Sequence, residues 1–331
     1  SPMNSVAPFF PHQVFRAYDI RGKTTQLDAK LVAAIAHAFV HLFKLKKQSQ
    51  IVLGYDARLT SPGYAKIIRD ILASEFDVVE LGCCSTPQMY FAASQHQGNG
   101  IMVTASHNPK TDNGLKWVLQ GEPPSPEAIQ QIGLWALDMY PALADVYLDT
   151  TLTHQFLPIS IDAYQQHILR DIQICKPLKV VIDGLSGSAG YVAKKLLQQI
   201  KGCDVIALRC EANGHFPDHA PDPSLAIHLR GLQRQVLEHQ ADLGIALDGD
   251  GDRVVLVDEY AQIITADRTL ALLAEICLST HLGAEVVFDV KCSTMVRQSI
   301  EDMGGVAKML RTGSSFLRRY IQQSQGKAIL G

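Results

Sequence analysis

Lys179-Val-Val-Ile-Asp183 runs without a break into Gly184-Leu-Ser-Gly-Ser-Ala-Gly190. This is a short apolar strand ending in a carboxylate, followed by the glycine- and hydroxyl-rich turn that suits a tight strand-to-helix connection. The pattern recurs at Leu53-Gly-Tyr-Asp56 and Val287-Phe-Asp289, each again leading through a loop toward a helix. The chain therefore reads as one α/β unit used three times. Asp at a strand end is also an ordinary turn former or helix cap, an alternative the recurrence alone leaves open.

Working outward, Val32, Ile35, Ala36, Phe39, Val40 and Phe43 recur at helical spacing, and the buried run Ile51-Val-Leu-Gly54 follows a polar break. The alternation continues with a helix over 64–74, a strand over 78–81, a helix from near Pro87, a strand over 101–104 and a polar loop over 105–114. The Pro-rich passage Gly121-Glu-Pro-Pro-Ser-Pro126 interrupts the first unit, and the second begins after a helical segment at 159–174. A third starts near Tyr260, with a helix over 267–280, a strand over 286–289, a helix after Ser293 and a last strand over 328–330. Strands alternating with helices predict an α/β fold with parallel or mixed sheets covered on both faces.

At about 100–200 residues per domain, 331 residues make two or three domains. Thirty Lys and Arg against 33 Asp and Glu leave a net charge of −3, with no basic excess for nucleic acid or an anionic membrane. Small ligands are expected. Seven Cys (83, 84, 175, 203, 210, 277 and 292) form an odd set without a C-x-x-C pair, which predicts a reducing, cytoplasmic setting. The first residues show neither basic leader nor apolar core, and the longest apolar stretch, 31–43, is broken by His37 and His41. Neither a signal peptide nor a membrane span is expected.

Two segments carry chemistry. Asp248-Gly-Asp-Gly-Asp-Arg253 sits between the apolar strands 243–247 and 254–257. Three carboxylates at alternate positions on a glycine-permissive loop can converge on one hard cation, Mg²⁺ or Ca²⁺, and would repel if left unpaired. An EF-hand is rejected because its sixth position, which needs Gly, is Arg253, and strands rather than helices flank the loop. A haloacid-dehalogenase-type reading of Asp250-Gly-Asp-Arg-Val254 fails because Asp248, not Asp250, follows the strand directly. The second segment is Thr104-Ala-Ser-His-Asn-Pro109, with Lys110 and Asn113-Gly-Leu-Lys116 beyond it. A Ser at a strand end can carry a transferred group. A Ser-His-Asp hydrolase is disfavoured because His107 is the neighbouring residue and no G-x-S-x-G elbow is present. Taken together, a cation site, a hydroxyl and the cations Arg21, Lys110, Lys116, Arg253 and Lys291 are the parts of a phosphoryl-transfer site.

These segments, with Phe15-Arg-Ala-Tyr-Asp-Ile-Arg-Gly22, Gly54-Tyr-Asp-Ala-Arg58, Gly214-His-Phe-Pro217, Asp289-Val-Lys291 and Thr312-Gly313, stand in one order along nearly the whole chain. In that order they resemble the α-D-phosphohexomutases, in particular the bacterial phosphomannomutase/phosphoglucomutase branch. The resemblance implies successive α/β/α sandwich domains with mixed sheets: 1–155 with the phosphoserine loop, 156–258 with the metal loop, and an incomplete third domain at 259–331. It implies a phosphoserine at Ser106, and Mg²⁺ on Asp248, Asp250, Asp252 and a phosphoserine oxygen. The implied reaction interconverts hexose 1- and 6-phosphates of mannose or glucose through a bound 1,6-bisphosphate.

By the same resemblance Lys116 is the general acid/base, which calls for a lowered pKa. Arg21 and Tyr18 contact the reacting phosphate, His107 positions it, and Arg253 clamps beside the metal. Lys291, Thr312 and Gly313 meet the sugar. Ser314 departs from the His that similar bacterial enzymes usually carry there. The sugar loop G-E-x-S-G-H would begin where the sequence stops at Gly331, and the fourth domain would follow it. The expectation is thus a fragment that binds Mg²⁺ and carries phosphate but turns over far below a complete enzyme, because the distal phosphate lacks its anchor. The alternatives are a metal- and phosphosugar-binding module with little turnover, or a phosphoglucosamine mutase.

Overall fold

A computed structural model of the chain describes residues 10–155, 178–199 and 203–264. The helix expected at 159–174, every element expected beyond residue 264, and Cys175, Cys277 and Cys292 lie outside the described residues.

The first sheet comprises β1 (Ile20–Lys23), β2 (Gln50–Tyr55), β3 (Asp77–Cys83), β4 (Gly100–Val103) and β5 (Asp112–Val118), in the spatial order β1-β5-β4-β2-β3. β2 runs parallel to β3 and β4, whereas β5 pairs antiparallel with β4 and β1. The second sheet comprises β6 (Leu178–Asp183), β7 (Cys203–Leu208), β8 (Leu243–Leu247), β9 (Val254–Val257) and β10 (Ile263–Ile264), ordered β10-β9-β8-β6-β7. Its pairings repeat the first: β6 parallel to β7 and β8, then two antiparallel steps outward. The mixed α/β architecture is the expected one. Asp56 and Asp183 close equivalent central strands, so two of the three strand-ending aspartates belong to one repeated unit. Asp289 lies outside the described residues.

Along β2 and β4 successive residues part to opposite faces, as a pleated strand requires. Ile51, Leu53, Ile101 and Val103 join the core beneath α1 (Ala29–Leu45) and α2 (Ser61–Leu72), and Val52 and Met102 join a second core on the other face. α1 buries Leu31, Val32, Ile35, Phe39 and Phe43 in that first core, as the heptad-like spacing predicts. The Asp28 carboxylate accepts the Leu31 N–H and caps its start. The second core is continuous with Val180, Ile182, Val192 and Leu196 of the second unit, the last two on α5 (Gly190–Gln198).

Between them lies α3 (Thr86–Ser94), buried along nearly its whole length, which is why no single apolar stripe marks it in the sequence. α4 (Pro126–Met139) and α6 (Arg230–Glu238) complete the outer layers. Among the described residues no helix is long and apolar enough to cross a membrane.

The polar loop read over 105–114 is shorter than expected, because β5 begins at Asp112. Asn113 and Gly114 look like turn residues but are strand residues. The buried Asn113 amide donates to Thr60 Oγ1 and Ser61 Oγ, so its polarity is spent inside the fold rather than on water.

Candidate active site

The repeated topology places two antiparallel hairpins, β4–β5 and β8–β9, so that their connecting loops meet. Ser106, two residues past the Thr104 that follows β4, is 4% exposed. Its Oγ lies 2.7 Å from Asp248 Oδ2 and 3.1 Å from Asp250 Oδ1. Its backbone is left-handed, with φ of 55°, a conformation non-glycine residues adopt only when the surroundings impose it. Here the Ser106 N–H donates to Thr104 Oγ1 at 2.9 Å, and that hydroxyl donates in turn to Asp56 Oδ2 at 2.7 Å.

The acidic loop is tightly wrapped. Gly251 takes a φ of 75° and donates its N–H to the Asp248 carbonyl, and the Arg253 N–H donates to Asp248 Oδ1 at 3.0 Å. A Cβ at Gly249 would stand 2.1 Å from the Ser106 carbonyl oxygen, so only glycine permits the two loops to approach this closely. Thr86 at the start of α3 donates its N–H to the Asp250 carbonyl at 2.7 Å and its hydroxyl to Asp250 Oδ2 at 2.6 Å.

Lys116, projecting from β5, places Nζ 2.6 Å from Asp250 Oδ2 and 3.3 Å from Asp252 Oδ2. This corrects the expectation of a lowered lysine pKa. Burial works against the charge, but Asp250 and Asp252 outweigh it and hold the ammonium well above its ordinary range. The neighbours are carboxylates, not cations. Asp250 answers in kind: burial would raise it, yet Lys116 and the hydrogen bonds from Lys116, Thr86 and Ser106 keep it below the usual carboxylate range. Asp248 is pushed well upward, by burial first and the Asp250 charge next.

Among the described residues no group of three His, Cys, Asp or Glu side chains converges as a metal-holding cluster. In this arrangement the Lys116 ammonium lies between Asp250 and Asp252, and the Ser106 hydroxyl lies between Asp248 and Asp250. The donor chemistry nonetheless fits a hard divalent cation. Every ligating atom is oxygen, Asp248 and Asp250 are fully buried, and Asp250 shares its one contacting ammonium with Asp252.

The remaining expected residues divide. His107 is held below its ordinary value by burial and then by the Arg253 charge, and its buried Nδ1 has no hydrogen-bond partner among the described residues. Arg21 reaches the serine loop, donating from Nη1 to Asn108 Oδ1 at 3.0 Å while Nε and Nη2 hold Asp19. The Arg253 side chain is exposed, as is Lys110, and Tyr18 is 86% exposed. Lys291, Thr312, Gly313 and Ser314 lie outside the described residues. Thr86 carries no motif and has no signal in the sequence; Asp56 and Arg58 stand in the Gly54-Tyr-Asp-Ala-Arg58 segment, but the sequence assigned them no role at the site. Arg58 forms an ion pair with Asp56 at 3.1 Å in which both side chains are 1% exposed, and it donates to the Ser106 carbonyl.

Comparison with known proteins supplies the context for this geometry. Residues 12–134 match the family model described as phosphoglucomutase/phosphomannomutase, alpha/beta/alpha domain I, and residues 162–261 match the model for domain II. A Pseudomonas putida protein named phosphomannomutase/phosphoglucomutase is 38% identical over 319 residues, covering 95% of this chain and 67% of the relative. A Neisseria gonorrhoeae phosphoglucomutase is 35% identical over 316 residues, covering 94% and 67%. The crystal structure of a phosphoglucomutase/phosphomannomutase family protein from Burkholderia thailandensis superposes with a TM-score of 0.72 at 33% identity, over 82% of this chain and 60% of that one. The chain therefore spans about two thirds of the length of these curated relatives. Two domain models matched in succession, each containing one of the two loops that meet at Ser106, leave one conclusion: the chain belongs to the phosphoglucomutase/phosphomannomutase family.

Proposed function

We propose that this chain interconverts hexose 1-phosphate and 6-phosphate, of mannose, glucose or both, by way of a phosphate carried on Ser106. The observation that supports it most is the Ser106 Oγ held 2.7 Å from Asp248 and 3.1 Å from Asp250, across 142 and 144 residues of sequence. When the serine is loaded from a hexose 1,6-bisphosphate, a bond forms between Oγ and phosphorus and the bond from phosphorus to the sugar oxygen breaks. Asp248 is placed to accept the serine proton, and Lys116, held charged, is in the state that gives a proton to the departing sugar oxygen. The reverse transfer to the other hydroxyl completes the exchange, with no net consumption of phosphate.

Arg21 and Tyr18 would meet the reacting phosphate, and His107 and Arg253 would orient it. Lys291, Thr312 and Gly313 would face the sugar. Asp248, Asp250, Asp252 and a Ser106 oxygen would hold Mg²⁺. Bound there, Mg²⁺ neutralises charge on the transferring phosphoryl group. Residues 1–155, 156–258 and 259–331 would form the three successive units, and the free thiols of Cys83, Cys84, Cys203 and Cys210 suit a reducing cytoplasm.

The test is intact-mass measurement after incubation with glucose 1,6-bisphosphate and with its mannose counterpart, alongside coupled assays of isomerisation. The wild-type chain gains one phosphoryl group and Ser106→Ala gains none. Isomerisation or phosphate uptake retained in Ser106→Ala overturns the reading.

A further inference from the structure

The serine loop turns several backbone carbonyls inward, where water does not satisfy them. One side chain takes them up. Arg58 donates from Nη2 to the carbonyls of Ser106 at 3.0 Å and Asn108 at 2.8 Å, and from Nη1 to those of Pro109 at 2.7 Å and Asp112 at 3.1 Å. Its Nε donates to Asp56 Oδ2 at 3.1 Å. A guanidinium has five N–H donors in a fixed plane, and here all five are spent, four of them on carbonyls of the loop and the first residue of β5. The face of the group is covered from the second unit: the Phe216 ring lies 5.5 Å from the guanidinium carbon. Behind it, a Cβ at Gly214 would stand 2.4 Å from the Ala57 carbonyl oxygen, so the Gly214-His-Phe-Pro217 segment is pressed directly onto the Arg58 turn.

We infer that Arg58 is a positioning residue for phosphoryl transfer: it fixes the loop that presents Ser106 Oγ to the aspartates, and Phe216 ties that fixation to the seating of the second unit. The inference rests on the reading of Ser106 as the phosphate carrier. Ser106 sits in a left-handed conformation that its neighbours must impose. Thr104 holds its N–H and Arg58 holds its C=O, so the main chain that carries the hydroxyl is fixed on both sides. Arg58 touches no group that a sugar phosphate would reach through the hydroxyl, so its loss acts on the alignment of the nucleophile and not on substrate affinity.

Arg58→Lys keeps the charge beside Asp56, but a single ammonium cannot span four carbonyls and a carboxylate. Displacement of a reacting group by about 1 Å costs roughly a hundredfold in rate. The expected result is a loss of that order in the rate of Ser106 phosphorylation by glucose 1,6-bisphosphate at saturation, with the half-saturating concentration unchanged. Amide hydrogen exchange should quicken across 104–112 and stay as in the wild type across α1. Phe216→Leu, which leaves every Arg58 hydrogen bond in place, gives the same pattern at several-fold and serves if Arg58→Lys fails to fold. Unchanged exchange across 104–112 overturns the inference whatever the phosphorylation rates, as does a lost rate accompanied by an equal loss of affinity. A wild-type chain that takes up no phosphate sinks the carrier reading instead, and the exchange measurement then decides alone whether Arg58 holds the loop.

Discussion

The β4–β5 and β8–β9 hairpins occupy the same place in two sheets of the same strand order, yet one offers a hydroxyl and the other a set of carboxylates. Their central strands end alike: Asp56 accepts the Arg58 N–H and Asp183 the Leu185 N–H, both at 3.0 Å and both two residues on. Each aspartate then pairs with an arginine, and there the units part. Arg58 comes from the same turn and spends its remaining donors on the neighbouring hairpin loop. Arg209 comes from the end of β7 and turns the other way, toward His219 Nε2 at 2.8 Å and the Asp218 carboxylate at 3.8 Å. A duplicated scaffold supplies equivalent positions, and the direction in which one arginine points separates a rigidly braced loop from a loop held by glycines.

This contrast sets the size of the effects expected. Arg58→Met leaves the buried Asp56 carboxylate without its counter-ion and takes one donor from each of four carbonyls, so urea unfolding should report a loss of roughly 3–5 kcal/mol. Arg209→Met should cost less, about 1–3 kcal/mol. Burial already raises the Asp183 pKa despite the Arg209 charge, so this carboxyl accepts a proton more readily when its partner goes. Equal losses would erase the distinction between the two units.

Next in size is the contact between the loops. Gly249→Ala forces a methyl group to within 2.1 Å of the Ser106 carbonyl oxygen, and overpacking of this kind costs roughly 1–3 kcal/mol. Slower phosphorylation of Ser106 should accompany the lost stability. A variant as stable and as readily phosphorylated as the wild type would mean the loops do not stay in contact during the reaction.

The smallest effect is a pH dependence peculiar to the second unit. His219 accepts from Arg209, is stacked on His228 with ring centroids 3.9 Å apart, and is held below its ordinary 6.5 by burial above all. The unfolded chain therefore binds that proton first. Stability is complete above 6.5 and declines as the pH falls below it, levelling once the folded histidine also protonates. Urea midpoints across that range should show the decline in the wild type and a flatter profile in His219→Gln, by about 1 kcal/mol or less.

Where the chain alternates apolar strands with periodic helices, the fold was legible: α1, β2, β4, β8 and β9 stand where spacing put them. β5 was not, because Asp112-Asn-Gly114 reads as a polar turn, and only folding shows that the Asn113 amide is satisfied by Thr60 and Ser61. Nor was the depth at which α3 lies, since a helix covered on every side has no polar face to give its orientation. At the site, residue types suggested that Ser106 and the aspartates belong together, and the fold brings its Oγ within 3.1 Å of two of them. The state of Lys116 was not legible, because a side chain's charge is set by the carboxylates that folding brings within 3.3 Å. Arg58 stood in plain view, but its role depends on four carbonyls some fifty residues away.

The burial of α3 between the two units has a consequence for the acidic loop. The first turn of α3, capped by the reciprocal Ser85–Gln88 bonds, sends its Thr86 N–H to the Asp250 carbonyl and its hydroxyl to the carboxylate. The peptide dipoles of that helix converge there as a fixed fractional positive charge. It belongs to the main chain, needs no ionisable group and does not titrate. A standing share of the compensation for clustered negative charge is thus built into the joint between the units, and drawing them apart would weaken it.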